Sequence, residues 1–174
     1  EGWVEFIFMV IGKTTEMLST YEAGDAIQDV TGPLGQPTEM GEGNWAVIGG
    51  GVGLAIAFPV ARQLKATGHE VHAIMGARTK DLLLLENQFR SVLDDEHIHI
   101  TTDDGSYGEK GVVTAPLERL LQEKKVDHVF CVGPVPMMKF SALTAEKYDT
   151  PIIASLNPIM VDGTGMCGCC RVEV

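Results

Sequence analysis

"WAVIGGGVGLAIAFPVARQLKATG", residues 45–68, decides the fold. Its first residues form an unbroken apolar run of strand length, and glycines follow at 49, 50, 51 and 53. After them Ile56, Val60, Ala61 and Leu64 share one helical face, and the helix stops at Gly68. A strand, a glycine-rich turn and a helix in that order open a parallel α/β unit. Pro59 is expected to bend or loosen the helix, because it removes one backbone donor and crowds the preceding turn.

Working outward, the same pattern recurs. "EVHAIMG", "HIHIT", "HVFCVG" and "IIASL" are short apolar runs of the kind that parallel strands buried on both faces display, and "APLERLLQEKK" has helical spacing. Strands alternating with helices predict a doubly wound parallel sheet over residues 45–158. Upstream, "EGWVEFIFMVIG" starts without Met and alternates, with Val4, Phe6, Phe8 and Val10 on one side, which predicts a strand already running. A helical turn in "KTTEML", a second brief strand near Ala26–Val30 and the punctuation Gly32-Pro33 and Gly35 predict the end of a small β-domain over residues 1–40. A boundary is expected near Glu39–Asn44. Residues 159–174 form a separate glycine- and cysteine-rich segment, and there is no internal repeat or low-complexity tract.

Composition excludes several function classes. The chain has 174 residues, 45% hydrophobic and 21% charged, enough for one ordinary core. With 13 Lys and Arg against 24 Asp and Glu, the net charge of -11 argues against a nucleic-acid backbone as partner. No leader pattern opens the chain, and no apolar run reaches the roughly 20 residues of a membrane span. The expected location is the cytoplasm. Three of four cysteines fall within four positions, 167, 169 and 170, which is not the spacing of a disulfide framework. Reduced thiols or metal ligands fit better.

The chemistry-bearing residues lie at the ends of strands. Gly49, Gly50, Gly51 and Gly53 let backbone approach a dinucleotide and leave helix N–H groups facing its phosphates; the same glycines also suit a plain tight turn. After the second strand stand Arg78 and Lys80, where a carboxylate would hold the ribose of NAD. They suit a 2′-phosphate, an adenosine cover or a solvated basic pair, so the cofactor is written NAD(P). "TTDDGSYGEKG" offers Asp103, Asp104 and Tyr107, and "CVGPVPMM" brings Gly133 and Pro134 to where a nicotinamide would lie. Cys131 sits in an apolar strand and suits packing better than redox work. His69, His72, His97, His99 and His128 scatter along the strands, where core or solvent-face roles suffice. A non-catalytic nucleotide-binding module is the rival from another class, and a zinc site in the tail is a third option weakened by the lack of a second cysteine pair.

"TDDGSYGEKG", "GPVPMMK" and "DGTGMCGCCRV" carry a resemblance. Through them the whole chain resembles the small, flavin-containing subunit of the NADH-dependent ferredoxin:NADP oxidoreductases, a family also known as sulfide dehydrogenase. More distantly it is similar to the dihydroorotate dehydrogenase electron-transfer subunit and the reductase subunit of sulfur-reducing hydrogenases. The resemblance implies a β-barrel for FAD, an α/β domain for the nicotinamide cofactor, a C-terminal 2Fe-2S segment and a larger flavin- and iron-sulfur-containing partner subunit. It implies that Gly12, Thr14 and Thr15 belong to the flavin pyrophosphate loop, with the family's Arg-x-Tyr-Ser/Thr flavin motif lying upstream. Asp103 and Gly133 become nicotinamide-cofactor contacts, while the family's cysteine beside nicotinamide corresponds to Val132, one place from Cys131. Asp162-x4-Cys167-x2-Cys170 matches the family's C-x4-C-x2-C cluster spacing with a carboxylate in the first place, which makes these three the implied metal ligands. The expectation is a C-terminal fragment whose FAD and 2Fe-2S sites are incomplete, from a subunit that relays electrons between NAD(P)H, FAD and the cluster.

Overall fold

The computed structural model describes residues 2–156 and 159–173. Positions 1, 157, 158 and 174, and with them the expected domain limit at 158, lie outside the described residues. The chain divides into two compact units, Met40–Ser155 and a second that joins the described residues before Met40 to those after Ser155.

The larger unit is the α/β domain. Its strands are β1 (Trp45–Gly50), β2 (Val71–Ala77), β3 (Ile98–Thr102), β4 (Glu109–Lys110), β5 (His128–Val132) and β6 (Ile152–Ala154). They form one sheet in the order β4-β3-β2-β1-β5-β6, every described pairing parallel. Helices α2 (Leu54–Ala66) and α3 (Glu86–Val92) accompany one face, α4 (Thr114–Gln122) and α5 (Val135–Glu146) the other. Strand periodicity sorts the core accordingly. Trp45 and Val47 pack with Leu54, Ala61, Leu64 and Phe89; Ala46 and Ile48 pack with Leu117, Leu120 and Met138. Both faces are covered, which is why the strand sequences read as continuous apolar runs.

All five strands expected from the sequence are present. β4 is an addition, two exposed polar residues that no hydrophobic pattern marks. α2 runs unbroken past Pro59, which lies exposed on its outer side.

The smaller unit corrects an expectation. Among its described residues there is one short helix, α1 (Lys13–Leu18), and no strand, neither along 3–11 nor near Ala26–Val30. Val4, Phe6, Phe8 and Val10 are all exposed. Alternation makes a strand only where a neighbouring strand takes up its N–H and C=O groups, and these residues have none.

Candidate functional site

The strand order reverses at β1, whose onward connections lead to β2 on one side and, later in the chain, to β5 on the other. In open sheets of this order the crevice for a ligand lies beyond the carboxyl ends of the strands that flank the reversal, here β1 and β5. Gly49 and Gly50 end β1, and Gly51 and Gly53 form a 3-10 turn that leads into α2. At Gly53 a Cβ would lie 2.5 Å from the Val132 carbonyl oxygen and 3.0 Å from Gly133 Cα. At Gly133 it would lie 3.1 Å from both N and O of Gly50. The two loops thus meet backbone to backbone, and only glycine permits it. Pro134 caps α5 directly behind them. No side chain caps the Gly51–Gly53 turn or α2, and Leu54 N–H already turns back to the Gly51 carbonyl, so the donors a ligand would meet are those of the turn itself.

The next two strands extend this rim. Arg78 follows β2, exposed and outside every ion pair of the described residues. Lys80 is exposed too, but its ammonium sits 4.8 Å from the centre of the Tyr107 ring, and its backbone N–H donates to Ser106 Oγ at 2.9 Å. The loop after β3 is tied alongside: Asp103 N–H donates to the Ala77 carbonyl at 3.1 Å and Asp104 N–H to that of Arg78 at 3.3 Å. Asp103 itself is exposed. Asp104 accepts the Ser106 N–H at 2.9 Å, and its bonds to Ser106 hold the carboxyl below its ordinary range. Tyr107 donates to Glu86 at 2.7 Å; this bond, with Arg90 beside it, holds Glu86 low.

Cys131 is fully buried in the α4/α5 layer, and burial pushes its thiol up to about 11. A protonated, enclosed thiol is packing.

The other predicted site residues belong to the smaller unit. Thr15 Oγ1 accepts the N–H groups of Ile11 at 3.0 Å and Gly12 at 3.1 Å and donates to the Gly12 carbonyl at 2.9 Å. Its hydroxyl is fully engaged by its own turn, while Gly12 and Thr14 stay exposed. The Asp162 carboxylate accepts Thr164 N–H at 2.9 Å and Cys167 N–H at 3.1 Å, which closes the cysteine loop and keeps the acid below its usual range. Cys167, Cys169 and Cys170 are exposed thiols. Cys167 is lowered by its hydrogen bonds with Cys169.

The histidines are less scattered than the sequence implies. His69 Nδ1 lies 2.9 Å from the Gly43 carbonyl, and His128 Nε2 lies 2.9 Å from that of Glu42 while stacking on Trp45. These two pin the segment that enters β1. His72, His97 and His99, with Glu70, gather instead at the opposite, amino-terminal edge of the sheet. The signal was E-x-H before one strand and H-x-H before the next, because period two sends each pair to one face. That the two strands adjoin was not visible.

A parallel sheet that reverses at a glycine-rich first turn is the architecture of dinucleotide-type α/β domains. The family model described as "Oxidoreductase NAD-binding domain" matches residues 47–142, and the chain belongs to that family. It is 49% identical, over its whole length and 61% of the relative's, to a dihydroorotate dehydrogenase B (NAD(+)) electron transfer subunit homolog from Thermotoga maritima. It is 34% identical, over 94% of its length and 62% of the relative's, to a probable electron transfer subunit of the same enzyme from Methanocaldococcus jannaschii. The chain thus spans about three fifths of these curated relatives. Among solved structures, one of NADH-dependent reduced ferredoxin-NADP oxidoreductase matches with a TM-score of 0.83 and 49% identity over 94% of this chain and 59% of that one. The cytochrome b5 reductase domain of Ulva prolifera nitrate reductase, at TM-score 0.64 and 23% identity over 83% of this chain and 64% of that one, shares the fold. The ferredoxin reductase-like fold and the resemblance read from the sequence both hold. No described helix is long and apolar enough to cross a membrane.

Proposed function

We propose that this chain is the NAD(P)-binding part of an electron-transfer flavoprotein subunit, passing electrons between NAD(P)H, FAD and a 2Fe-2S cluster to a larger flavin- and iron-sulfur-containing partner. The observation that carries the proposal is the contact of the Gly49–Gly53 turn with Gly133 at the reversal of the strand order, where a Cβ at Gly53 or Gly133 would fill the cradle.

The residues fit a dinucleotide. The N–H groups of the Gly51–Gly53 turn would hold its pyrophosphate, Arg78 and Lys80 its adenosine ribose, and Asp103, Gly133 and Pro134 its nicotinamide. Of the two cations, Arg78 is the one free to grip a 2′-phosphate, since Lys80 lies over Tyr107. The fit to FAD is partial: Gly12 and Thr14 remain open to a pyrophosphate, whereas Thr15 acts by shaping their turn. The fit to a cluster is one of donor chemistry, two exposed thiolate-forming cysteines three residues apart with Asp162 five before them. Asp162 also clasps the loop, so a role as ligand falls to lone pairs that Thr164 and Cys167 leave free. Nicotinamide, flavin and cluster together supply hydride transfer, division of the electron pair and one-electron transport. The protein holds them, orients them and keeps Cys131 out of the chemistry.

Calorimetric titration with NADH and NADPH tests this. Saturable binding is expected, and Arg78→Ala should weaken NADPH by about 1.5 to 3 kcal/mol, the value of a hydrogen bond to a charged group, with NADH changed far less. Failure of the unaltered chain to bind either dinucleotide would sink the proposal; equal losses would leave Arg78 as an adenosine cover.

A further inference from the structure

Period two puts Glu70 and His72 on one face of β2 and its approach, and His97 and His99 on the same face of β3 and its approach. The register Ala73 opposite Ile98 and Ile74 opposite His99 sets the two pairs side by side. The result is four polar side chains at one corner of a largely apolar sheet face. Glu70 Oε1 lies 3.4 Å from His72 Nε2 and 3.8 Å from His97 Nε2, and one donor atom from each of the three residues falls within 4.8 Å of the others.

Hydrogen bonding leaves this corner incomplete. His72 is 4% exposed, yet its Nε2 has no hydrogen-bond partner of good geometry; Glu70 Oε1, 3.4 Å away, meets it as an ion-pair partner. His97 Nδ1 is likewise buried and unpartnered. Orphaned buried nitrogens cost about 1–3 kcal/mol each, and they are rare enough to need a cause. A cation shared by the three donors supplies one for His72. Four-coordinate zinc with bonds of about 2.0–2.1 Å sets its ligands roughly 3.3–3.4 Å apart, close to the Glu70–His72 separation and a small adjustment from the Glu70–His97 one.

The outer shell supports the same assignment. His72 Nδ1 lies 3.3 Å from His99 Nε2. A histidine that binds metal through one nitrogen ordinarily donates its other N–H to a fixed acceptor, which sets tautomer and ring orientation. His99 stands where that acceptor belongs. Glu70, half exposed at its side chain, opens the fourth position to solvent.

We propose that Glu70, His72 and His97 form a binding site for a divalent transition cation of the zinc class, with His99 as the positioning residue for His72. Gly76 lies opposite Gly50, four residues beyond His72 and six beyond Glu70, which at about 3.3 Å per residue puts this site roughly 13–20 Å along the strands from the glycine turn. Its role is therefore to clasp the β2–β3 edge rather than to meet the nicotinamide.

The test uses the full chain with Cys167, Cys169 and Cys170 changed to Ser, so that the tail thiols cannot bind the probe. One equivalent of Zn2+ should bind and raise Tm, and Co2+ should give d–d bands without a thiolate charge-transfer band. His99→Gln should weaken Zn2+ by about 10–100-fold, and His97→Gln and Glu70→Gln by at least that much, with circular dichroism unchanged. Glu70→Gln, at a half-exposed position, serves as the readout should a histidine variant fail to fold. Absence of binding in the triple-serine chain, or unchanged affinity in Glu70→Gln, would overturn the site.

Discussion

The two units treat the same residue types in opposite ways. In the α/β unit Trp45, Ile48, Phe89 and Leu117 are all at most 1% exposed, whereas in the smaller unit Trp3 and Ile11 are each 75% exposed and Phe6 57%. Each unit also has cysteine, enclosed at Cys131 and exposed at 167, 169 and 170. Apolar content is high in both "WAVIG" and "WVEFIFMVIG". The difference is the supply of neighbours: β1 has a hydrogen-bonded strand on each side and a helix layer over each face, and residues 3–11 have no strand partner among the described residues. Apolar periodicity therefore reports a capacity to be buried, and burial follows only where a partner exists.

The largest effect expected from this contrast is chemical. A thiol at about 11 is ionised in roughly one molecule in a thousand at pH 8, and enclosure slows its attack further, while Cys167 is both exposed and lowered. Alkylation by iodoacetamide followed by peptide mass mapping should label Cys167 at least about 1000-fold faster than Cys131. Cys131 should react only in denaturant. Comparable rates in the native protein would mean that the sheet opens around β5, contrary to its burial.

A smaller contrast is energetic. Ile48 is wholly buried between β2 and β5, so Ile48→Ala should lower the free energy of unfolding by about 2–5 kcal/mol, the removed surface and the residual cavity adding together. Phe6→Ala removes a larger side chain from an exposed position and should change it by less than about 0.5 kcal/mol. Urea titrations of both, read by the same probe, decide the matter. A loss from Phe6→Ala approaching that of Ile48→Ala would show that the 3–11 stretch packs against something in solution.

This contrast also marks what the sequence could convey. The sheet was legible because β1, β2 and β5 are buried on both faces and so write apolar runs, while the half-buried β3 and the three-residue β6 still carry apolar residues at strand spacing. β4 was not, since its pairing of Glu109 and Lys110 with Thr101 and Thr102 uses backbone alone. Around the crevice, the glycines and Gly133-Pro134 were legible because close backbone approach demands particular residues. The engagement of Lys80 by Tyr107, and of Thr15 by its own turn, depends on side-chain geometry that no spacing reveals. The corner of Glu70, His72, His97 and His99 depends on which strands adjoin. Each histidine taken singly looked like an ordinary strand residue, and only the β2–β3 register makes them neighbours.

The smallest effect lies in the cysteine loop and separates two roles of one carboxylate. Asp162 accepts the N–H groups of Thr164 and Cys167, so Asp162→Ala should free both amides. Solvent competes for an exposed carboxylate, so the expected readout is a modest loss of protection from hydrogen exchange confined to those two amides. Asp162 is an exposed surface residue, so the free energy of unfolding of the α/β unit should stay within about 0.5 kcal/mol of the parent. Asp162→Asn keeps one acceptor oxygen and should fall between the two. If Asp162 is an iron ligand as well, iron and sulfide retained after cluster reconstitution should drop with Asp162→Asn as fully as with Asp162→Ala; if it is only the clasp, the drop with Asp162→Asn should be the smaller one, in step with amide protection. Cluster retention that follows amide protection across the two variants assigns the carboxylate to the clasp alone, and leaves Cys167 and Cys170 as the residues on which a cluster would depend.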